Sequence, residues 1–274
     1  EELDPVIEEA LTLIANKYHF HVTILGKKTH TLPFAGEFTY ETVLKALRME
    51  VRKTLPEEKP AQNMQLPARP PVLCAGCPHR ASFYAVKLAA KGKKAIFTGD
   101  IGCYTLGNAK PLEMTDTCLC MGAGITVAQG IKRAEPDADC FAFVGDSTFF
   151  HTGMPGVADA VYNGTDINIV VLDNSTTAMT GHQPHPGIGK TMMGTQSKKI
   201  DIYSIVKAMG VEFVERANPF DLDKAVEVCR RAAEHRGVSV VLFEAPCIAL
   251  FKPEKIHHVD PEKCKACGKC IREI

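Results

Sequence analysis

Residues 141–174, FAFVGDSTFFHTGMPGVADAVYNGTDINIVVLDN, carry the reading that decides the fold. An apolar run (141–144) ends in Gly145-Asp146-Ser147, residues 154–162 carry helical spacing, and a second apolar run (167–172) closes on Asp173-Asn174. Near-continuous apolar runs are what strands buried on both faces require, and a parallel pair needs a crossover of a dozen or more residues. The stretch therefore reads as strand, helix, strand. Asp146 and Asn174, 28 residues apart, are expected at the same sheet edge, beyond the carboxyl ends of the strands, where such sheets bind ligands.

The same alternation extends outward. Short β-branched runs at 95–98 and 238–244, with helical stretches at 81–90, 122–133 and 222–235, give an α/β fold over residues 72–256: a doubly wound, mostly parallel sheet with helices on both faces. Before it, residues 1–16 space Leu3, Val6, Ile7, Ala10, Leu11 and Ile14 on one helical face, 19–25 alternate like a strand, 31–39 are turn-rich and 41–55 return to helical spacing. Residues 1–55 thus read as a small αβα remnant of a preceding α/β domain. The chain starts at Glu1 rather than Met, so it is expected to begin in mid-protein. Residues 56–71 hold five prolines and read as a linker, and 257–274 form a last, cysteine-rich segment.

Composition narrows the function classes. With 32 basic and 32 acidic side chains the 274 residues are formally neutral, and no basic stripe interleaves with aromatics, so nucleic acid is not an expected partner. No apolar run approaches the roughly 20 residues of a membrane span, and no export segment opens the chain. Eleven cysteines, several at tight CxxC spacing, suit metal ligation in a reducing compartment better than disulfides, so a cytoplasmic location is expected.

At the strand ends, a hard cation such as Mg²⁺ would take oxygen from Asp146, from Asn174 and from the backbone near Thr176, leaving sites for diphosphate oxygens. Gly145 lets the backbone approach phosphates, Ser147 completes the turn, and a helix beginning near 152–155 would offer its positive end. The plainer alternative is strand-end turn chemistry, since Gly-Asp and Asp-Asn pairs are common in turns.

The stretch GDSTFFHTGMPGVADAVYNGTDINIVVLDN resembles the GDG-to-N signature of thiamine-diphosphate enzymes, departing at Ser147, where glycine is more usual. With TTAMTGHQPHPG (176–187), CAGCPHRASFYA, GDIGCYTLG, DTCLCMGAG and EAPC, the chain is similar to the 2-oxoacid:ferredoxin oxidoreductases over most of residues 70–250, and in its HQPHPG form to their indolepyruvate-oxidising branch. The resemblance implies a thiamine-diphosphate-binding fold and places Met121 and Gly122 beside the thiazolium; the alternative for these two is a helix N-terminus with a buried Met.

Cys74-x-x-Cys77 is half of a tetrahedral thiolate site, and Cys103 and Cys247 stand at strand ends. The resemblance implies that these four hold an inner 4Fe–4S cluster; otherwise Cys74 and Cys77 border a turn and the other two are buried small hydrophobes. Cys264, Cys267 and Cys270 have the spacing of three ligands of an outer 4Fe–4S cluster, with zinc as the competing metal. The next position in that pattern is Ile274, so this ferredoxin-like segment is expected to be truncated. Cys118, Cys120, Cys140 and Cys229 are expected in packing roles.

His79, His151 and His182 are candidates for binding a 2-oxo group or shuttling a proton, with His185 beside them; loop histidines are otherwise solvated or structural. Pro184 and Pro186 spoil His182-x-x-His185 as a helical metal pair. Residues 187–191, GIGKT, imitate a phosphate-binding loop, but its first glycine would be Pro184 and no strand precedes it.

The resemblance implies oxidative decarboxylation of an aryl-pyruvate to its acyl-coenzyme A, with electrons passing through iron–sulfur clusters to ferredoxin and a smaller (beta) subunit as partner. It also places the carboxylate that activates thiamine upstream of Glu1, so this chain alone is expected to bind cofactor weakly and to turn over nothing. The rivals are a non-catalytic iron–sulfur electron-transfer module and a non-oxidative thiamine-dependent decarboxylase or synthase.

Overall fold

A computed structural model describes residues 4–49, 68–252 and 258–273. The chain divides into two compact units, residues 1–68 and 69–274. Most of the proline-rich linker, 56–67, and Leu3 lie outside the described residues.

In the first unit, α1 (Val6–Lys17) and α2 (Tyr40–Ala46) are helices. The apolar stripe of α1 buries nothing within the unit: Val6 and Ile7 are more than 60% exposed. The expected strand at 19–25 is absent, for a physical reason: alternation needs a ladder partner, and among the described residues none pairs with it. The helix expected over 41–55 ends at Ala46, with Arg48 at φ 55 beyond it, and 50–55 lie outside the described residues.

The second unit is an α/β body around six parallel strands in the order β2-β1-β3-β4-β6-β5. They are β1 (Ala95–Gly99), β2 (Thr117–Cys118), β3 (Asp139–Gly145), β4 (Ile167–Asp173), β5 (Phe213–Ala217) and β6 (Val238–Glu244). Because successive side chains of a strand point to opposite faces, β3 sends Phe141 and Phe143 into one core and Cys140, Ala142 and Val144 into the other. The first core is roofed by α3 (Pro78–Ala89) and α8 (Leu222–Glu234). Beneath the second lie α4 (Gly124–Ala134), α6 (Met154–Tyr162) and α7 (Ile202–Ala208).

Phe83 of α3 is fully buried, its ring 4.6 Å from that of Phe143, and a Cβ on Gly107 would stand 2.4 Å from it. Phe83→Ala is expected to cost about 3–5 kcal/mol, read as a lower urea midpoint at unchanged slope.

The edge strand β5 and α7 were not read from sequence. Glu215 and Arg216 interrupt the apolar run of β5, as charges on edge strands do, and pair with Arg231 and Asp201. Asp201 caps α7 by accepting from the Ser204 amide at 3.0 Å.

The chain runs from β1 outward to β2 and returns to β3 on the other side, so β1 and β3 flank the switch point at which doubly wound sheets open a crevice. No helix among the described residues is long and apolar enough to cross a membrane.

Candidate functional site

A cavity of about 180 Å³ opens at that switch point. Its walls come from the turns after three strands: Ile101–Tyr104 after β1, Gly145–Thr148 after β3, and Asn174–Thr180 after β4, with Met121 and His79 closing the sides. Strands β3 and β4 are parallel neighbours with Gly145 opposite Leu172, so Asp146 and Asn174 leave the same edge one pleat apart. Both are buried, as is Thr176.

The helix at this edge begins earlier than the sequence suggests. A short α5 (Asp146–Thr148) and a π turn over Phe149–Gly153 run into α6, so helical backbone starts at Asp146 rather than near 152–155. A π turn inserted in a helix is a frequent mark of a functional site.

Asp146 accepts from the Ser147 amide at 2.8 Å and lies 3.0 Å from Nε2 of His185. Nδ1 of His185 accepts from the Gly187 amide at 3.2 Å, which leaves the ring proton on Nε2, pointing at the carboxylate. Ser147 also accepts from Thr177 Oγ1 at 2.8 Å. Asp173 hydrogen-bonds Asp146, and its carboxyl is pushed up to about 6, first by burial and then by the Asp146 charge. Two carboxylates in contact call for a shared proton or a cation between them, which fits a divalent ion.

Among the described residues no three His, Cys, Asp or Glu side chains are arranged to hold a metal ion by themselves. A cation at Asp146 would therefore draw on the Asn174 amide, backbone oxygen and ligand oxygens, the coordination that Mg²⁺ favours with diphosphates.

Asn174 Nδ2 lies 3.4 Å from Nε2 of His79, and its Oδ1 accepts from the Thr176 amide. Burial holds His79 down to about 4, against the pull of Asp146, so the ring is neutral at pH 7. The structure does not bring His151 or His182 to the cavity: both are exposed, and His182 occupies a positive-φ turn. His185 is the buried histidine of its loop.

The floor is a buried trio that sequence reading missed. Tyr104 donates to Asp100, and its oxygen lies 2.9 Å from Thr148 Oγ1, whose hydroxyl can donate to it. Its ring fills the space over Gly145, where an added Cβ would approach to 2.7 Å. Glycine at 145 thus makes room for Tyr104 as well as for a ligand. The missed signal was Gly99-Asp100 after β1, the same strand-end pair as Gly145-Asp146.

Burial pushes the Asp100 carboxyl up to about 6, opposed by hydrogen bonds from Tyr104 and the Gly124 and Gly122 amides; burial and the Asp100 charge push the Tyr104 hydroxyl up. A carboxyl whose pKa rises on folding binds its proton more tightly in the folded state, so stability falls as pH rises between about 4 and 6. A shift of that size corresponds to ~3 kcal/mol. Asp100→Asn is expected to flatten this part of the urea-midpoint profile against pH.

Met121 lines the cavity, partly exposed rather than buried. Gly122 sits at φ 86, where a Cβ would meet Thr152 Oγ1 at 1.9 Å, and its amide faces Asp100.

Cys103 lines the same cavity, and Cys74, Cys77 and Cys247 form a set with it. Cys77 is pushed up to about 11 by burial, with the charges of Cys74 and Cys247 adding, and Cys103 is raised by burial and by the same two neighbours. Cys77 and Cys103 each therefore lie within electrostatic reach of Cys74 and Cys247. A Cβ on Gly76 would touch Ile248 at 3.5 Å, which sets the Cys74–Cys77 turn against the segment after β6. The Cys247 amide donates to the Asn174 carbonyl at 2.9 Å.

Cys264, Cys267 and Cys270 are exposed and line a groove beside Tyr84, before and within α9 (Lys269–Glu273). Cys140 and Cys229 are buried in the core, whereas Cys118 and Cys120 are exposed, contrary to the packing role expected of them. The strand β2 is only two residues long and buries neither thiol.

Residues 100–243 match the family model "Thiamine pyrophosphate enzyme, C-terminal TPP binding domain". The chain belongs to the thiamine pyrophosphate enzymes. Among relatives of this thiamine pyrophosphate enzyme are the indolepyruvate oxidoreductase subunits IorA of Methanothermobacter thermautotrophicus, 41% identical over all of this chain and 45% of theirs, and of Thermococcus kodakarensis, 41% identical over 99% of this chain and 46% of theirs. The chain thus spans a little under half the length of the relatives it matches. A 2-oxoglutarate:ferredoxin oxidoreductase from Magnetococcus marinus, solved with 2-oxoglutarate, coenzyme A and succinyl-CoA bound, shares the fold, with TM-score 0.59 and 21% identity over 68% of this chain and 69% of that one.

Proposed function

We propose that the cavity at the ends of β1, β3 and β4 binds thiamine diphosphate through Mg²⁺, and that the chain serves an indolepyruvate:ferredoxin oxidoreductase, converting an aryl-pyruvate to its acyl-coenzyme A. The observation that carries this is the emergence of Asp146 and Asn174 from adjacent parallel strands into one cavity, with a second carboxylate pressed on the first. Asp146, Asn174 and the Thr176 backbone would hold the ion, while Gly145 and Ser147 receive the diphosphate. Met121, which lines the cavity, and its neighbour Gly122 would stand beside the ring. When bound, the thiazolium supplies a stabilised carbanion for decarboxylation.

This chain's own contribution is to grip the ion, to supply with Ile101, Met121, Leu172 and Met179 one apolar wall for the reacting carbon, and to keep thiols close by. Cys74, Cys77, Cys103 and Cys247 would hold an inner 4Fe–4S cluster; the pull of Cys74 and Cys247 on both Cys77 and Cys103 supports it. Cys264, Cys267 and Cys270 would contribute to an outer cluster, with ferredoxin as electron acceptor. The cavity is smaller than the roughly 300–1,000 Å³ of a typical ligand pocket, so a second surface is needed to enclose cofactor and substrate. A smaller (beta) subunit would complete the assembly.

The test uses the enzyme as assembled in the cell. Indolepyruvate-dependent reduction of a low-potential dye should require coenzyme A, stop when EDTA strips the metal and return with Mg²⁺ and thiamine diphosphate. Dye reduction indifferent to thiamine diphosphate would overturn the assignment.

A further inference from the structure

Two buried histidines reach the proposed cation ligands from different elements. His185 stands in the loop after β4, packed 5.8 Å from the Phe150 ring, and a Cβ on Gly187 would press both rings at 2.9 Å. Its Nδ1 is occupied by the Gly187 amide, so Nε2 is a donor, and it points at Asp146 Oδ2. His79 stands in the first turn of α3, two residues after Cys77, and its Nε2 faces the amide nitrogen of Asn174. An amide nitrogen only donates, so His79 Nε2 is here an acceptor.

We propose that His79 and His185 are a matched pair of positioning residues, His185 donating to Asp146 and His79 accepting from Asn174, so that each ligand is turned to present oxygen to the cation. The pairing is complementary. A donor on Asp146 Oδ2 fixes the carboxylate's orientation, and Oδ1, which accepts from the Ser147 amide, keeps its second lone pair for the ion. An acceptor on the Asn174 nitrogen prevents the amide flip that would aim N–H groups at a cation. Outer partners of this kind typically govern affinity by 10- to 100-fold.

The inference rests on the Mg²⁺–diphosphate reading of the cavity and deepens it. Glutamine reaches about as far as histidine Nε2 and can donate or accept, whereas asparagine falls short, so the two amides separate reach from polarity at both positions. Metal-depleted enzyme in its cellular assembly is titrated calorimetrically with Mg²⁺ in the presence of thiamine diphosphate, with Mn²⁺ electron paramagnetic resonance as an independent count of bound ion. His79→Asn and His185→Asn are each expected to weaken Mg²⁺ binding by about 10- to 100-fold, and His79→Gln and His185→Gln by no more than about threefold.

Melting temperatures in EDTA should be alike for Asn and Gln at each site, which a purely structural role would not give. Asn variants that bind Mg²⁺ as tightly as the wild type, or Gln variants as weak as Asn, overturn the pairing. A wild-type enzyme that binds no Mg²⁺ with thiamine diphosphate overturns the functional reading itself, and the pairing with it.

Discussion

Asp146→Asn is expected to weaken Mg²⁺-supported binding of thiamine diphosphate by more than about 100-fold, beyond the loss that outer partners give. The substitution keeps the shape of the side chain and an acceptor oxygen for His185 Nε2, but it removes the only charged side chain proposed to hold the ion. Because the Asp146 charge bears on the Asp173 carboxyl and pushes it up, the neutral amide relieves that repulsion. Metal-free protein should therefore melt no earlier than wild type in EDTA, while calorimetric titration shows the lost affinity. If the variant bound the magnesium–cofactor pair as tightly as wild type, the cavity would have another purpose.

The second large effect concerns iron. In a background with Cys264, Cys267 and Cys270 changed to serine, anaerobic reconstitution is expected to load about 4 Fe per chain, and Cys77→Ser to abolish that loading. Cys77 is the informative position, since it is buried and the charges of Cys74 and Cys247 both bear on it. Its raised pKa keeps it a thiol until iron displaces the proton, so uptake should also slow at lower pH. Cys229→Ser, in the core of α8, is the control that should leave iron unchanged. Iron and sulfide assays decide it, and zinc in place of iron would show up in the same metal analysis.

Much of the fold was legible because buried parallel strands announce themselves. Residues 238–244 and 154–162 were delimited from sequence as they are observed, and the 28-residue interval from Asp146 to Asn174 foretold adjacency in the sheet. What stayed hidden depends on contacts that sequence does not encode locally. Residues 19–25 alternate correctly and form no strand, because a period of two says nothing of a pairing partner.

Histidine illustrates the same limit within the site. Two of them, at 182 and 185, share one loop, and only coordinates reveal that the first faces out at φ 63 while the second is buried on Asp146. The Asp100–Tyr104–Thr148 trio brings Tyr104 against a residue 44 positions away, and no spacing rule predicts such a meeting.

One hydrogen bond carries a mechanical meaning. The amide of Cys247 is tied to the carbonyl of Asn174, so the proposed sulfur ligand and the proposed cation ligand ride on a single short lever. A cluster held at that sulfur would, on gaining or shedding an electron, pull one peptide away on the side chain that would hold the cation.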